Sequence, residues 1–271
     1  MRNIGLHIRL NKTIFEVAQH AVALKIPIFQ CFFIQQESNQ FMKISDEDIQ
    51  VFLRDWRNKF ENLYLHGSYW INLASAQSHN KIILREIELA KKLAFTHIIV
   101  HPGSTKKGHH KRDGIGVMAR NLNKLLKTEN EIKVVLENTA HAGLSIGGDL
   151  QDFLHLKERL DHPEKIMFCI DTAHAFAYGY DITTSHAQTQ FLALVDKTLG
   201  SGAIALIHLN DIKQPCGSRI DKHERVGAGV LGDSLRQLIM HNQLEHVPII
   251  MELPIMSDEE EKQILEKVRN W

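Results

Sequence analysis

Six side chains able to ligate a metal recur at a nearly even step along a chain of 271 residues. They are His66, His101, Glu137, Asp171, His208 and Glu252. Three more lie just downstream of members of the series. His174 closes Asp171-Thr172-Ala173-His174, and Asp221 and His223 share the glycine-bounded stretch Asp221-Lys222-His223. In extended backbone, positions i and i+2 point the same way, so Asp221 and His223 can chelate one ion. A lone D-x-H is weak evidence, and its weight here comes from following His208. Imidazoles mixed with carboxylates suit zinc or a similar borderline ion, whereas an all-oxygen set would suggest magnesium or calcium. The competing reading of one such histidine is a hydrogen-bonded structural residue. It fails for six in succession, because apolar runs gain nothing by ending on unpaired polar groups.

The elements that must position these residues are legible in the hydropathy pattern. Short β-prone runs end on or beside each of the six: Leu63–His66, His97–His101, Lys133–Glu137, Met167–Asp171, Ala203–Leu209 and Pro248–Glu252. Two more, Ile4–Ile8 and Ile28–Phe33, precede them. Helical periodicity fills the intervals at Thr13–Leu24, Asp46–Asn58, Asn80–Leu93, Gly114–Leu126, Asp149–Leu160, Ala187–Leu199, Gly232–His241 and Asp258–Val268. Ser45 and Ser257 stand before acidic first turns, as helix caps do. A strand–helix unit takes about 30 residues or more, so each step of the metal-capable series is one unit. The expected fold is a (β/α)8 TIM barrel spanning residues 1–271 as one domain, with the six side chains at the carboxyl ends of consecutive strands. The rival, an open doubly wound sheet, lacks its usual G-x-G-x-x-G after the first strand.

Composition narrows the function classes. Hydrophobic residues make up 44%, enough for a sizeable core, and Lys+Arg balance Asp+Glu at 32 each. Formal neutrality argues against gripping nucleic acid by bulk positive charge, so a polyanion partner needs a local attraction. Seventeen His stand against three Cys (Cys31, Cys169 and Cys216), which are far apart and odd in number. A disulfide framework is not expected, and a cytoplasmic, reducing setting fits. No signal peptide or membrane-spanning run is apparent.

At these residues the chain resembles the endonuclease IV family of apurinic/apyrimidinic endonucleases. The matching stretches are HGSYWINLAS (66–75), HPGS (101–104), LENTA (136–140), CIDTAHAFAYGYD (169–181), HLND (208–211), GSRIDKHERVGAG (217–229) and ELP (252–254). The resemblance implies a barrel with three zinc ions, manganese being an alternative at one position, that cuts DNA on the 5′ side of abasic sites. It would place His66, His101 and Glu137 on the first ion. Glu137 would bridge to a second, completed by Asp171, His208 and Glu252. His174, Asp221 and His223 would hold the third. The first two strands match less well. The Ser-x-x-Gly-Gly feature after strand one is absent, Asn39 stands about where an Arg is common, and Ala173 replaces a frequent Cys.

This chemistry accounts for the donor set. Attack on an anionic phosphodiester builds charge on both entering and leaving oxygens. Two ions about 4 Å apart can generate a hydroxide near neutral pH, align it and neutralise the leaving oxygen. Three divalent ions against four carboxylates also leave the site positive, a local surplus on a neutral chain.

Phosphate contacts are expected from Lys106 and Lys107, in the basic run Lys106–Arg112, and from Arg219 and Lys222 beside the third ligand set. Backbone N–H groups of Gly103 and Gly217 are further candidates. An ordinary solvated loop is the alternative for the basic run. Tyr69 matches the family's inserting tyrosine and would fill the gap left by a displaced abasic nucleotide; the alternative is a rim aromatic packed on Trp70. His7 is either a support for the ligands or a satisfied core histidine. The implied partner is double-stranded DNA with abasic sites or blocked 3′ ends, bound by a monomer without membrane contact. A sugar isomerase or epimerase on the same barrel is the runner-up, and a metal-stabilised DNA-binding scaffold is a third reading. A small sugar needs neither a third cation nor a wedge, and a scaffold does not need open coordination positions.

Overall fold

A computed structural model describes residues 2–35, 40–75 and 79–271. The elements run β1 Ile4–His7, α1 Ile14–Ala23, β2 Ile28–Cys31, α2 Asp46–Asp55, β3 Asn62–His66, α3 His79–Lys92, β4 His97–Val100, α4 Lys111–Thr128, β5 Lys133–Glu137 and α5 Gln151–Lys157. They continue with β6 Ile166–Asp171, α6 Thr172–Tyr178, α7 Ser185–Thr198, β7 Ile204–His208, β8 Asp211–Ile212, β9 His223–Glu224, α8 Ser234–Ile239, β10 Ile249–Met251 and α9 Asp258–Arg269. Eight parallel strands close in the order β1-β10-β7-β6-β5-β4-β3-β2. This is the expected (β/α)8 barrel.

Capping explains where several helices begin. Thr13, Ser45, Thr184 and Ser257 each accept a backbone N–H of their helix's first turn, and Glu260 returns a bond to Ser257. The apolar faces of the helices pack on the outside of the barrel, whose strands are buried on both sides.

The barrel interior is a second, smaller core. Ile28, Tyr64, Ile99, Val135, Cys169, Leu206 and Ile250 come from seven successive strands and pack as a plug. Gly5 takes the equivalent place on β1, where an added Cβ would meet the Ile28 carbonyl oxygen at 2.1 Å. Two residues further along each strand the side chain again points inward. Those positions are His7, Gln30, His66, His101, Glu137, Asp171, His208 and Glu252. The apolar plug thus forms the floor beneath a ring of polar side chains at the carboxyl end of the barrel.

Two stretches differ from expectation. Residues 172–178 form a helix that is not among the expected helical intervals. Asp171 caps it by accepting the His174 N–H at 2.7 Å, and Gly179 ends it at φ 119°. Most of the segment is buried, so it lacks the one-sided apolar period that marks surface helices. Helix α4 begins at Lys111 instead of Gly114, which takes Lys111 and Arg112 out of the basic loop.

Candidate metal centre

Nine side chains from both halves of the chain meet above the plug. His66 Nε2 and His101 Nε2 lie 3.3 and 3.2 Å from Glu137 Oε2. The other carboxylate oxygen of Glu137 faces away, 2.9 Å from His208 Nδ1. That nitrogen is 3.6 Å from Glu252 Oε2 and 4.0 Å from Asp171 Oδ2. A third group gathers around His174 Nε2, which is 3.1 Å from Asp221 Oδ1 and 3.4 Å from His223 Nε2. Asp171 Oδ2 reaches toward it as well, 3.6 Å from His223 Nε2. Three sets of ligand atoms are each compact enough for one ion: His66, His101 and Glu137; Glu137, Asp171, His208 and Glu252; and Asp171, His174 and His223.

The donors fit a cation better than they fit each other. Glu137 Oε2 is buried without a hydrogen bond although two imidazole nitrogens are within 3.3 Å. A buried carboxylate oxygen left so would be costly, and several nitrogen and oxygen lone pairs aimed at one point are what a metal ion satisfies. The second ring nitrogens are already spoken for. His66 Nδ1 lies 2.9 Å from the Gly67 carbonyl, His174 Nδ1 lies 2.9 Å from the Asn138 carbonyl, and His208 Nε2 lies 2.9 Å from Gln30 Oε1.

Electrostatics point the same way. Burial alone would raise the Glu137 carboxyl, but His208, His101 and His174 hold it well below the usual carboxylate range. Burial opposes charge on His174, yet Asp171, Asp221 and Glu137 hold it well above its ordinary value. Asp221 is brought down to about 2, its burial outweighed by His174 and His223. Ligand imidazoles and carboxylates bind a metal only in their deprotonated forms, so metal binding here weakens in acid.

Several supporting residues carry no signal in the hydropathy pattern. Asn210 Nδ2 donates to Asp171 Oδ2 at 2.6 Å and to Glu252 Oε2 at 3.2 Å, and its Oδ1 accepts the Glu252 N–H at 2.8 Å. Asn138 brackets the Asp171 backbone, donating to its carbonyl and accepting its N–H. Buried Asp211 accepts the backbone N–H groups of Gly227, Gly229, Leu231 and Gly232 at 3.0 to 3.1 Å. That collar, with the β8–β9 ladder, holds the loop bearing Asp221 and His223. His7 is a support rather than an isolated core residue: its Nδ1 is 2.9 Å from Gln30 Nε2 and 3.4 Å from Glu252 Oε1. An amide at Gln30 inside an otherwise apolar strand is the one cue that could have drawn attention to it.

Apart from Asn39, the other expected contact residues lie in the loops that follow β3, β4 and β8. Tyr69 is 77% exposed, its ring 5.1 Å from Phe32 and 6.1 Å from His66. Its ring thus neighbours Phe32 and the ligand histidines His66 and His101. Arg219 has φ 63° and lays its guanidinium 3.8 Å over the Tyr178 ring. Lys222, Lys106 and Lys107 are exposed. Lys111 is committed elsewhere, 3.0 Å from Asp152. The Gly217 N–H is likewise used, donating to the Phe176 carbonyl at 3.0 Å. Asn39 lies outside the described residues. Among the described residues no helix is long and apolar enough to cross a membrane.

Comparison with known proteins agrees with this picture. Residues 19–271 match the family model described as a xylose isomerase-like TIM barrel. The chain is 31% identical over 273 residues to a probable endonuclease 4 of Thermotoga maritima, covering 97% of this chain and 95% of that protein. It is 35% identical over 208 residues to the apurinic-apyrimidinic endonuclease 1 of Saccharomyces cerevisiae, covering 74% of this chain and 56% of the yeast protein. The crystal structure of endonuclease IV from Thermus thermophilus superposes with a TM-score of 0.83 at 23% identity, over 99% of this chain and 98% of that one. This chain belongs to the endonuclease IV family.

Proposed function

We propose that this protein is an apurinic/apyrimidinic endonuclease that hydrolyses the phosphodiester 5′ to an abasic site in duplex DNA. The products would be a 3′-hydroxyl and a 5′-deoxyribose phosphate, and the same centre would trim blocked 3′ ends. The observation that carries the reading is Glu137, whose two oxygens face two different ligand sets. A carboxylate so placed fixes the spacing of two cations, which in-line displacement at phosphorus requires.

We assign the sets to three zinc ions: one on His66, His101 and Glu137, one on Glu137, Asp171, His208 and Glu252, and one on His174, Asp221 and His223. Bound there, the ions would supply Lewis-acid polarisation of the phosphate and a water acidified toward neutral pH. The chain's own residues do the rest. Glu137 holds the spacing, and Asn210 keeps the Asp171 and Glu252 carboxylates oriented. Tyr69, exposed at the rim, fills the space of the displaced nucleotide. An abasic nucleotide has no stacked base, so turning it outward is cheap, and selectivity follows from that low cost. Arg219, Lys222, Lys106 and Lys107 meet backbone phosphates without reading sequence.

The test is incubation with a duplex containing one tetrahydrofuran site and, in parallel, with a ketose. Incision 5′ to the tetrahydrofuran, abolished by chelator and restored by zinc, supports the proposal. Sugar turnover without incision would instead support an isomerase on the same barrel, and tight binding without turnover would support a scaffold.

A further inference from the structure

The inward position above Ile28 on β2 carries a neutral amide, Gln30, in a ring otherwise made of histidines and carboxylates. Gln30 is fully buried, and every polar atom of its side chain has a partner. Its Nε2 donates to Glu252 Oε1 at 2.8 Å and lies 2.9 Å from His7 Nδ1. Its Oε1 lies 2.9 Å from His208 Nε2. Chemistry fixes which end of the amide faces which neighbour. A carboxylate only accepts, so the NH2 must face Glu252, and the carbonyl oxygen is left to face His208. An amide oxygen also only accepts, so His208 must keep its hydrogen on Nε2. A neutral His208 then presents its lone pair from Nδ1, the atom 2.9 Å from Glu137 and 3.6 Å from Glu252.

We infer that Gln30 is a positioning residue that selects the tautomer of His208 and the orientation of Glu252 in the central ligand group. This rests on reading Glu137, Asp171, His208 and Glu252 as one metal site. The geometry explains why the residue is a glutamine. A glutamate would set a second carboxylate against Glu252. An aliphatic side chain of the same size would leave His208 Nε2 unpaired in a buried place and remove the hydrogen bond to Glu252 Oε1. Residues that hold metal ligands by hydrogen bonds are typically worth about 10- to 100-fold in metal affinity.

The test is zinc titration in competition with a chromophoric chelator, on the full chain and on Gln30→Met, which has similar volume. The inference predicts that Gln30→Met still folds cooperatively without metal but binds the zinc of the central group roughly 10- to 100-fold more weakly. Equal affinity in both proteins would overturn it. If wild type holds no zinc at this group, the metal reading falls and the inference with it. A second measurement does not depend on the variant folding. Long-range nitrogen–proton NMR of the zinc-loaded wild type should show His208 protonated at Nε2, and protonation at Nδ1 would overturn the inference.

Discussion

Gly229 donates its backbone N–H to Asp211 Oδ2 at 3.0 Å, and a Cβ added at Gly229 would stand 2.4 Å from Asp211 Oδ1. The carboxylate and the glycine are thus a matched pair that closes the loop bearing Asp221 and His223. Asp211→Asn keeps the size but replaces an acceptor with a donor among converging N–H groups. Leaving one of them unsatisfied costs about 1–3 kcal/mol. We expect the variant, and Gly229→Ala, to lose the ion assigned to His174, Asp221 and His223 while keeping the other two. Elemental analysis of the purified proteins checks this, and retention of full metal content would refute it.

Tyr69 touches the ligand histidines only at ring distances of about 6 Å and is mostly exposed. Tyr69→Ala should therefore leave metal content intact. Stacking of an aromatic on a nucleotide is worth about 1–3 kcal/mol, so affinity for an abasic duplex should fall roughly tenfold or more. Fluorescence anisotropy with abasic and intact duplexes measures it; unchanged affinity would return Tyr69 to a packing role.

Beneath the turn bearing Ser68 and Tyr69 lies a carboxyl with no part in metal binding. Burial pushes Glu86 up to about 7, one oxygen accepts the Ser68 N–H at 3.2 Å, and the other has no hydrogen bond. The folded state therefore holds this proton more tightly than the unfolded chain. The resulting stability is fully present below pH 4.5 and is lost as the pH rises toward about 7. Glu86→Gln stays neutral and should remove that slope. Against wild type it should match at pH 4 and gain on the order of 3 kcal/mol at pH 8, read from urea unfolding of the metal-free proteins. A wild-type stability that does not decline across this window would contradict the assignment.

Lys106, Lys107, Arg219 and Lys222 are assigned to phosphates, and Lys111 is not, because it is paired with Asp152. Each contacting residue changed to Ala should lower the slope of log affinity against log salt by about 1. Lys111→Ala should leave the slope alone. If Lys106→Ala and Lys107→Ala also leave it alone, their loop is a solvated turn.

Much of this site was legible because barrel strands alternate. A metal-capable residue at the end of an apolar run has to sit two places above an inward core residue, and His66 above Tyr64 or Glu137 above Val135 follow that rule. The even step between them carried the topology. Gln30 escaped because a neutral amide has no signature in spacing or charge, and Asn210 because its role depends on two strands meeting. Helix α6 escaped because a segment buried nearly all round has no polar face to set a period. The pairing of Lys111 with Asp152 joins residues far apart in sequence, which no local pattern encodes.

The central claim is that nine side chains hold three cations at one mouth of the barrel. Anomalous diffraction at the zinc edge, on crystals of the protein purified without chelator, tests it most directly. We predict three peaks, each about 2.0–2.2 Å from the assigned nitrogens and oxygens, with one on either side of Glu137. An absence of peaks there, or peaks bound by other residues, would contradict the account.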